Sequence, residues 1–173
     1  DPLEGSIRTV GMIKWPGKIK PGKSNEMVAI QDILPTLAAI IGADLPTDRP
    51  YDGVDQSAFF LGKQKTSNRE HQITFVNNEI AAVRWRHYRI YPKANTASFN
   101  NPRQEGLLGV QAEKNGGPDV YNIEMDPREE ISIGGDNAWV MAQWLRIVAE
   151  YNQSLKQYPN PPGVTLTDTR FGR

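Results

Sequence analysis

The chain has 173 residues, with 20 Lys+Arg balanced by 20 Asp+Glu, two His, no Cys, 15 Gly and 13 Pro. Zero net charge leaves no long-range field to gather phosphate backbones or anionic lipid, so neither nucleic acid nor a membrane surface is expected as a partner. Without Cys there is no disulfide framework, thiolate metal site or cysteine nucleophile, and the apolar runs fall far short of the roughly 20 residues a spanning helix needs.

In chain order, the apolar run from Ser6 to Trp15, broken by Pro16-Gly17, predicts a buried strand at Ile7 to Lys14 and then a turn. Such a strand wants neighbours on both sides, so the chain reads as cut from something larger. From Asp32 to Ile41, the residues Ile33, Leu34, Leu37, Ile40 and Ile41 recur at helical spacing. Asp32 is placed to cap that helix, Pro35 sits in its first turn, and Gly42 stands where a left-handed C-terminal residue belongs. Residues 43 to 67 read as a loop docking a small apolar plug, Ala58 to Leu61.

Past Arg69 the texture changes to short β-rich runs at Gln72 to Val76, Ile80 to Trp85 and Tyr88 to Tyr91, joined by brief polar turns. This predicts an antiparallel meander. Residues 92 to 117 lack periodicity and read as a long loop. Asp119 to Ile123 is expected to return as a further strand, and Asp126-Pro127-Arg128-Glu129-Glu130 as a turn or the start of a short helix. The segment Asn137 to Lys156 predicts an amphipathic helix, capped by Asp136 or Asn137. Its apolar side would be Val140 or Met141 with Trp144, Leu145, Val148, Tyr151 and Leu155. Residues 158 to 173 read as an extended tail. The fold class is α+β: a roughly four-stranded antiparallel sheet with a C-terminal helix packed on it, beside a strand and helix left over from a larger α/β domain.

Seven segments then stand in a recognisable order: Glu4-Gly-Ser-Ile-Arg8, Trp15-Pro-Gly-Lys-Ile-Lys-Pro-Gly22, Asp32-Ile-Leu-Pro-Thr-Leu-Ala38, Asp52-Gly-Val-Asp55, Arg69-Glu-His71, Ala82-Val-Arg-Trp85 and Val120-Tyr-Asn-Ile-Glu-Met-Asp-Pro127. Together they resemble the C-terminal portion of formylglycine-dependent sulfatases of the arylsulfatase type, in the alkaline-phosphatase superfamily, over residues 4 to 155. The family pattern departs at Ser6, where a second Gly is usual, and at Val10, where Pro is usual.

The resemblance implies that residues 1–67 finish a large α/β sulfatase domain, and that 68–157 form a C-terminal sheet-and-helix subdomain. It implies a periplasmic or secreted parent whose N-terminal domain is this chain's partner and whose substrate is a sulfated small molecule or glycan. Formylglycine and calcium are implied for the parent alone. This sequence has no Cys, and no Ser followed by x-Pro-x-Arg, so no catalytic or metal residue is assigned within it and the isolated chain is expected to be inactive. By the same resemblance, Glu4 and Arg8 would lie beside the active site, although an Arg near Glu4 also serves as a structural ion pair.

For substrate contact the candidates are the hairpin turn Asn77-Asn78-Glu79, which could equally be a plain turn; His71, which could equally be a hydrogen-bonded corner; and Arg84. Arg84, Arg86 and Arg89 beside Trp85, Tyr88 and Tyr91 could bind an anionic sugar by ion pairing and stacking, or line a solvated strand face. Asp52, Asp55 and Asp126 lack calcium-loop spacing, and Asn152-Gln153-Ser154 matches a glycosylation sequon inside an expected helix. Two other functions compete: a free-standing glycan-binding module, and the same role in a phosphate or phosphonate ester hydrolase. Apolar surface along residues 7 to 13 and 33 to 41 is expected to drive self-association.

Overall fold

A computed structural model describes residues 2–48, 50–76, 79–92, 94–95, 111–112 and 117–159. Its elements in order are α1 (Glu4–Ile7), a 3-10 turn (Ile30–Asp32), α2 (Ile33–Ile41), α3 (Ser57–Phe60), β1 (His71–Val76), β2 (Glu79–Trp85), β3 (Tyr88–Tyr91), β4 (Ala94–Asn95), β5 (Gln111–Ala112), β6 (Asp119–Asn122) and α4 (Val140–Gln157). The expected meander is present: β1, β2, β3 and β6 form one antiparallel sheet in that order, while β4 and β5 pair separately. The α+β reading therefore holds.

The strands alternate between two faces with different chemistry. On one face, Ile73, Val83, Ile90 and Val120 lie across from one another in register. Ile90 and Val120 are buried with Val140 of α4, and Trp85, Tyr88, Met141 and Trp144 pack around them. Helix α4 thus covers this face, as an amphipathic helix over a half-apolar sheet must. A register shift after Thr74 pairs Thr74 with Ala82 and Phe75 with Ile80. The extra residue, Ala81, forms a bulge that keeps both Ile80 and Val83 on the α4 side.

On the opposite face Arg84 and Arg89 stand directly across from each other. Like charges so placed repel, and the sheet cannot carry them without an anion from elsewhere.

Three expectations need correction. Residues 8 to 15 are exposed and form no ladder with any described residue. Ile7 ends α1, and Arg8, which follows it, has extended backbone angles, φ −80° and ψ 128°. A buried strand needs a ladder partner on a sheet edge, and this segment pairs with no edge among the described residues. In α4 the buried residues are Val140 and Ile147, whereas Leu145 is exposed; the helix begins three residues later than expected, at Val140, and its inward stripe runs through Val140, Trp144, Ile147, Val148 and Tyr151. Its first residue is preceded by Trp139 rather than by a capping side chain.

Helix α2 spans the expected residues. Gly42 is left-handed at φ 70°, and the Ala43 N–H closes the end on the Ala38 carbonyl, the hydrogen-bond pattern that ends many helices at a glycine. Its apolar face is turned outward, as expected for residues 33 to 41: Ile33, Leu34, Leu37 and Ile41 are exposed, while Pro35, Thr36 and Ala38 are buried. The expected tail from residue 160, the long loop over residues 93, 96–110 and 113–116, and the turn residues Asn77 and Asn78 lie outside the described residues.

Candidate functional site

Two buried polar hubs fix the segments that carry the sequence motifs. The first is centred on Asp32, fully buried at the start of α2. Its Oδ2 accepts the Ala29 N–H at 2.9 Å, its Oδ1 accepts the Val54 N–H at 2.8 Å, and the Arg69 guanidinium pairs with both oxygens. Arg69 also donates to the Asp52 carbonyl at 2.7 Å.

The segment 52–55 is thereby strapped across the base of α2, and Gly53 is what permits the approach. A Cβ there would stand 2.1 Å from the Gln31 carbonyl oxygen and 2.9 Å from Pro35 Cγ, which no larger residue tolerates. Burial alone would raise the Asp32 pKa; the Arg69, Ala29 and Val54 donors and the Arg69 charge outweigh it and hold the carboxyl below its ordinary value.

The second hub answers the arginine pair of the sheet. Glu4 bridges the two strands from this face, with Oε1 at 2.6 Å from Arg84 and Oε2 at 3.0 Å from Arg89. Arg89 is fully buried. It donates further to Tyr91 Oη at 2.8 Å, to Thr74 Oγ1 at 3.2 Å and to the Pro2 carbonyl. Glu129 closes the ring: the Glu4 N–H donates to its Oε2 at 3.0 Å and the Tyr91 hydroxyl to its Oε1 at 2.6 Å.

To reach inward, Glu129 adopts a left-handed backbone at φ 56°, unusual for a residue with a side chain. The neighbouring Asp126 carboxylate accepts the Glu130 and Ile131 N–H groups and holds that turn. Burial raises the Glu129 pKa, with the Glu4 charge adding to it, and burial also pushes the Tyr91 hydroxyl upward. The Arg84 pKa is lowered by burial.

These contacts settle where the sequence candidates stand. Glu4 meets Arg84 and Arg89 rather than Arg8, which is exposed. The view of Arg84 and Arg89 as residues of a solvated face is corrected: both turn onto Glu4, and only Arg86, in the β2–β3 turn, is largely exposed. His71 sits half-buried at the start of β1, where burial lowers its pKa. With Val54, Asn68, Arg69, Glu70 and Arg146 it lines a small depression of about 160 Å³. Glu79 is exposed at the start of β2, beside a mostly apolar groove lined by Ile80, Pro92, Trp144, Val148 and Asn152. Among the described residues no three His, Asp or Glu side chains gather as a metal site would require, and no helix is long and apolar enough to cross a membrane.

No family model matches the sequence. Individual relatives do. Rat steryl-sulfatase is 34% identical over 139 residues, covering 73% of this chain and 24% of that protein. Human arylsulfatase A is 30% identical over 163 residues, covering 89% of this chain and 30% of its own length. Among solved structures, the PsFucS1 sulfatase from Pseudoalteromonas sp. superposes with a TM-score of 0.73 at 30% identity, covering 85% of this chain and 30% of that one. By sequence and by fold the chain belongs with the sulfatases. More particularly, it is a C-terminal region of the arylsulfatase type, spanning about a quarter to a third of the relatives it matches.

Proposed function

We infer that this region completes a sulfuric ester hydrolase whose chemistry is performed by the rest of the polypeptide. The observation that carries the reading is the orientation of α2. Its buried side is anchored by the Asp32–Arg69 hub, while Ile30, Leu34, Leu37 and Ile41, spaced four, three and four apart, form an apolar row open to solvent. A helix held this firmly, with its apolar row outward, is built to be covered. Residues 1–67, by this reading, belong with a large α/β domain and 68–157 form the smaller sheet-and-helix unit.

Formylglycine and calcium are assigned to the remaining polypeptide, where the one would supply the nucleophile and the other would neutralise the sulfate. The sequence has no Cys and no Ser followed by x-Pro-x-Arg from which formylglycine could form, and among the described residues no cluster of acidic or His side chains fits a calcium ion. The contribution of this chain's residues is positional: Arg84 and Glu4, earlier candidates for contact with substrate or active site, hold each other and fix the entry of residues 2–4 onto the sheet. Substrate contact is assigned to His71 and Glu79, and from the sequence to Asn77 and Asn78; the ester is that of a sulfated small molecule or glycan.

The docking is tested by mixing the chain with the separately produced N-terminal part of a related sulfatase and measuring complex formation by sedimentation. A complex that Leu34→Lys with Leu37→Lys abolishes is expected. Equal binding by the variant would refute the assignment of the α2 row.

A further inference from the structure

The β2–β3 turn and the start of α4 bring together a group of rings that the sulfatase reading leaves unused. Trp85 and Tyr88, cross-strand neighbours, lie nearly parallel with centroids 6.0 Å apart. Trp139 stands perpendicular to both, at 5.9 and 5.3 Å. His87 lies against Tyr88 at 4.2 Å, and the Arg86 guanidinium is 5.5 Å from the Trp85 ring centre.

Two features separate this corner from ordinary core packing. Trp139 keeps 53% of its surface exposed, although its orientation is fixed by the two neighbouring rings and by an Nε1–H bond to Asn137 Oδ1 at 3.3 Å. Arg86 sits in a left-handed turn at φ 53° with its side chain 61% exposed, and its carboxylate neighbour Glu70 is 3.4 Å away and shared with Arg146. A rigid, half-exposed indole loses little conformational entropy when something stacks on it. An exposed guanidinium beside it selects an anion.

We propose that Trp139, Trp85, Tyr88, His87 and Arg86 form an accessory binding site for a sulfated sugar ring, stacking on the aromatic corner and pairing its sulfate with Arg86. The site shares no residue with either polar hub. It goes beyond the sulfatase reading, and binding to this chain is measured without turnover, so either reading can fail alone. The sheet also sorts the arginine-rich strands: Arg84, Arg89 and Tyr91 belong to the buried hub, and Arg86 with the Trp139 corner is what remains available to a ligand.

The test follows the tryptophan indole N–H resonances of the chain during titration with glucose 6-sulfate, glucose and inorganic sulfate. Saturable shifts at Trp139 with glucose 6-sulfate, much weaker with the other two, are expected. Trp139→Ala should weaken binding about tenfold, as removal of one stacked ring does. Arg86→Gln, which leaves the rings in place, should erase the preference for the sulfated sugar. Circular dichroism and melting curves confirm that both variants fold. Absence of shifts up to the solubility limit, equal response to inorganic sulfate, or unchanged binding by folded variants would each overturn the proposal; should Trp139→Ala fail to fold, the Arg86→Gln titration decides alone.

Discussion

Arg84 and Arg89 could not occupy opposed positions on adjacent strands without Glu4, and Glu4 could not be buried without them. Replacing one partner of such a buried group strands the others, which typically costs about 3–5 kcal/mol. Asp32→Ala should show a loss of that size in urea unfolding, because it leaves Arg69 and the Ala29 and Val54 N–H groups unpaired together.

The two hubs respond to pH with opposite signs. The Asp32 carboxyl is held below its ordinary value of 3.8, so its contribution is present above that pH and fades as pH falls through the lowered value. Glu129 is raised above its ordinary 4.5. Its contribution is therefore complete below that pH and is lost as pH rises through the raised value. Glu129→Gln, uncharged throughout, should become more favourable relative to the wild-type chain between pH 4 and pH 7. A trend in the other direction, measured by urea unfolding at both pH values, would show that the ionised carboxylate is the form the ring prefers.

At the level of elements, much of the fold was legible because its signals are local. Pro35 and Gly42 mark the two ends of α2, and Asp32 stands at its N-cap position although its carboxylate turns to Ala29, Val54 and Arg69 and makes no cap bond to the helix; the alternation of the meander with its polar turns marks β1, β2, β3 and β6. What was not legible depends on partners distant in sequence. The Glu4–Arg84 contact spans 80 positions, and the Arg89–Glu129 pair, Nε to Oε1 at 3.4 Å, spans 40, so nothing local distinguishes those arginines from ones facing water. The Ala81 bulge reverses the alternation of β2 midway, and in α4 the packing against the sheet selects Ile147 over Leu145, two apolar residues that the sequence alone does not rank. Sequence reasoning likewise missed the roles of Asp32, Arg69, Arg89, Tyr91 and Glu129, although the motif Arg69-Glu-His71 held the signal for one of them. Gly53 is a clear test of the strap on α2: Gly53→Ala forces its methyl against the Gln31 carbonyl and should destabilise the chain by about 1–3 kcal/mol. Leu34→Lys, at an exposed position, should change stability by no more than about 0.5 kcal/mol.

For the whole molecule, the balance of surfaces is unusual. The sheet buries one face under α4 and neutralises the other with an internal ion cluster, yet Val10, Met12, Leu34, Leu37 and Ile41 are all open to solvent. A chain so divided should self-associate through its apolar side, with little dependence on salt because no ion pair drives it. Sedimentation at low and high ionic strength should show the same association, and Leu34→Lys with Leu37→Lys should reduce it.

The same division underlies the view that this region completes a sulfatase and does not act as one. Hydrolysis of 4-nitrocatechol sulfate in the presence of calcium tests that view most directly. The isolated chain should give no turnover above the uncatalysed rate, and activity should arise only when the remaining sulfatase polypeptide is present; turnover by the purified chain alone would contradict it.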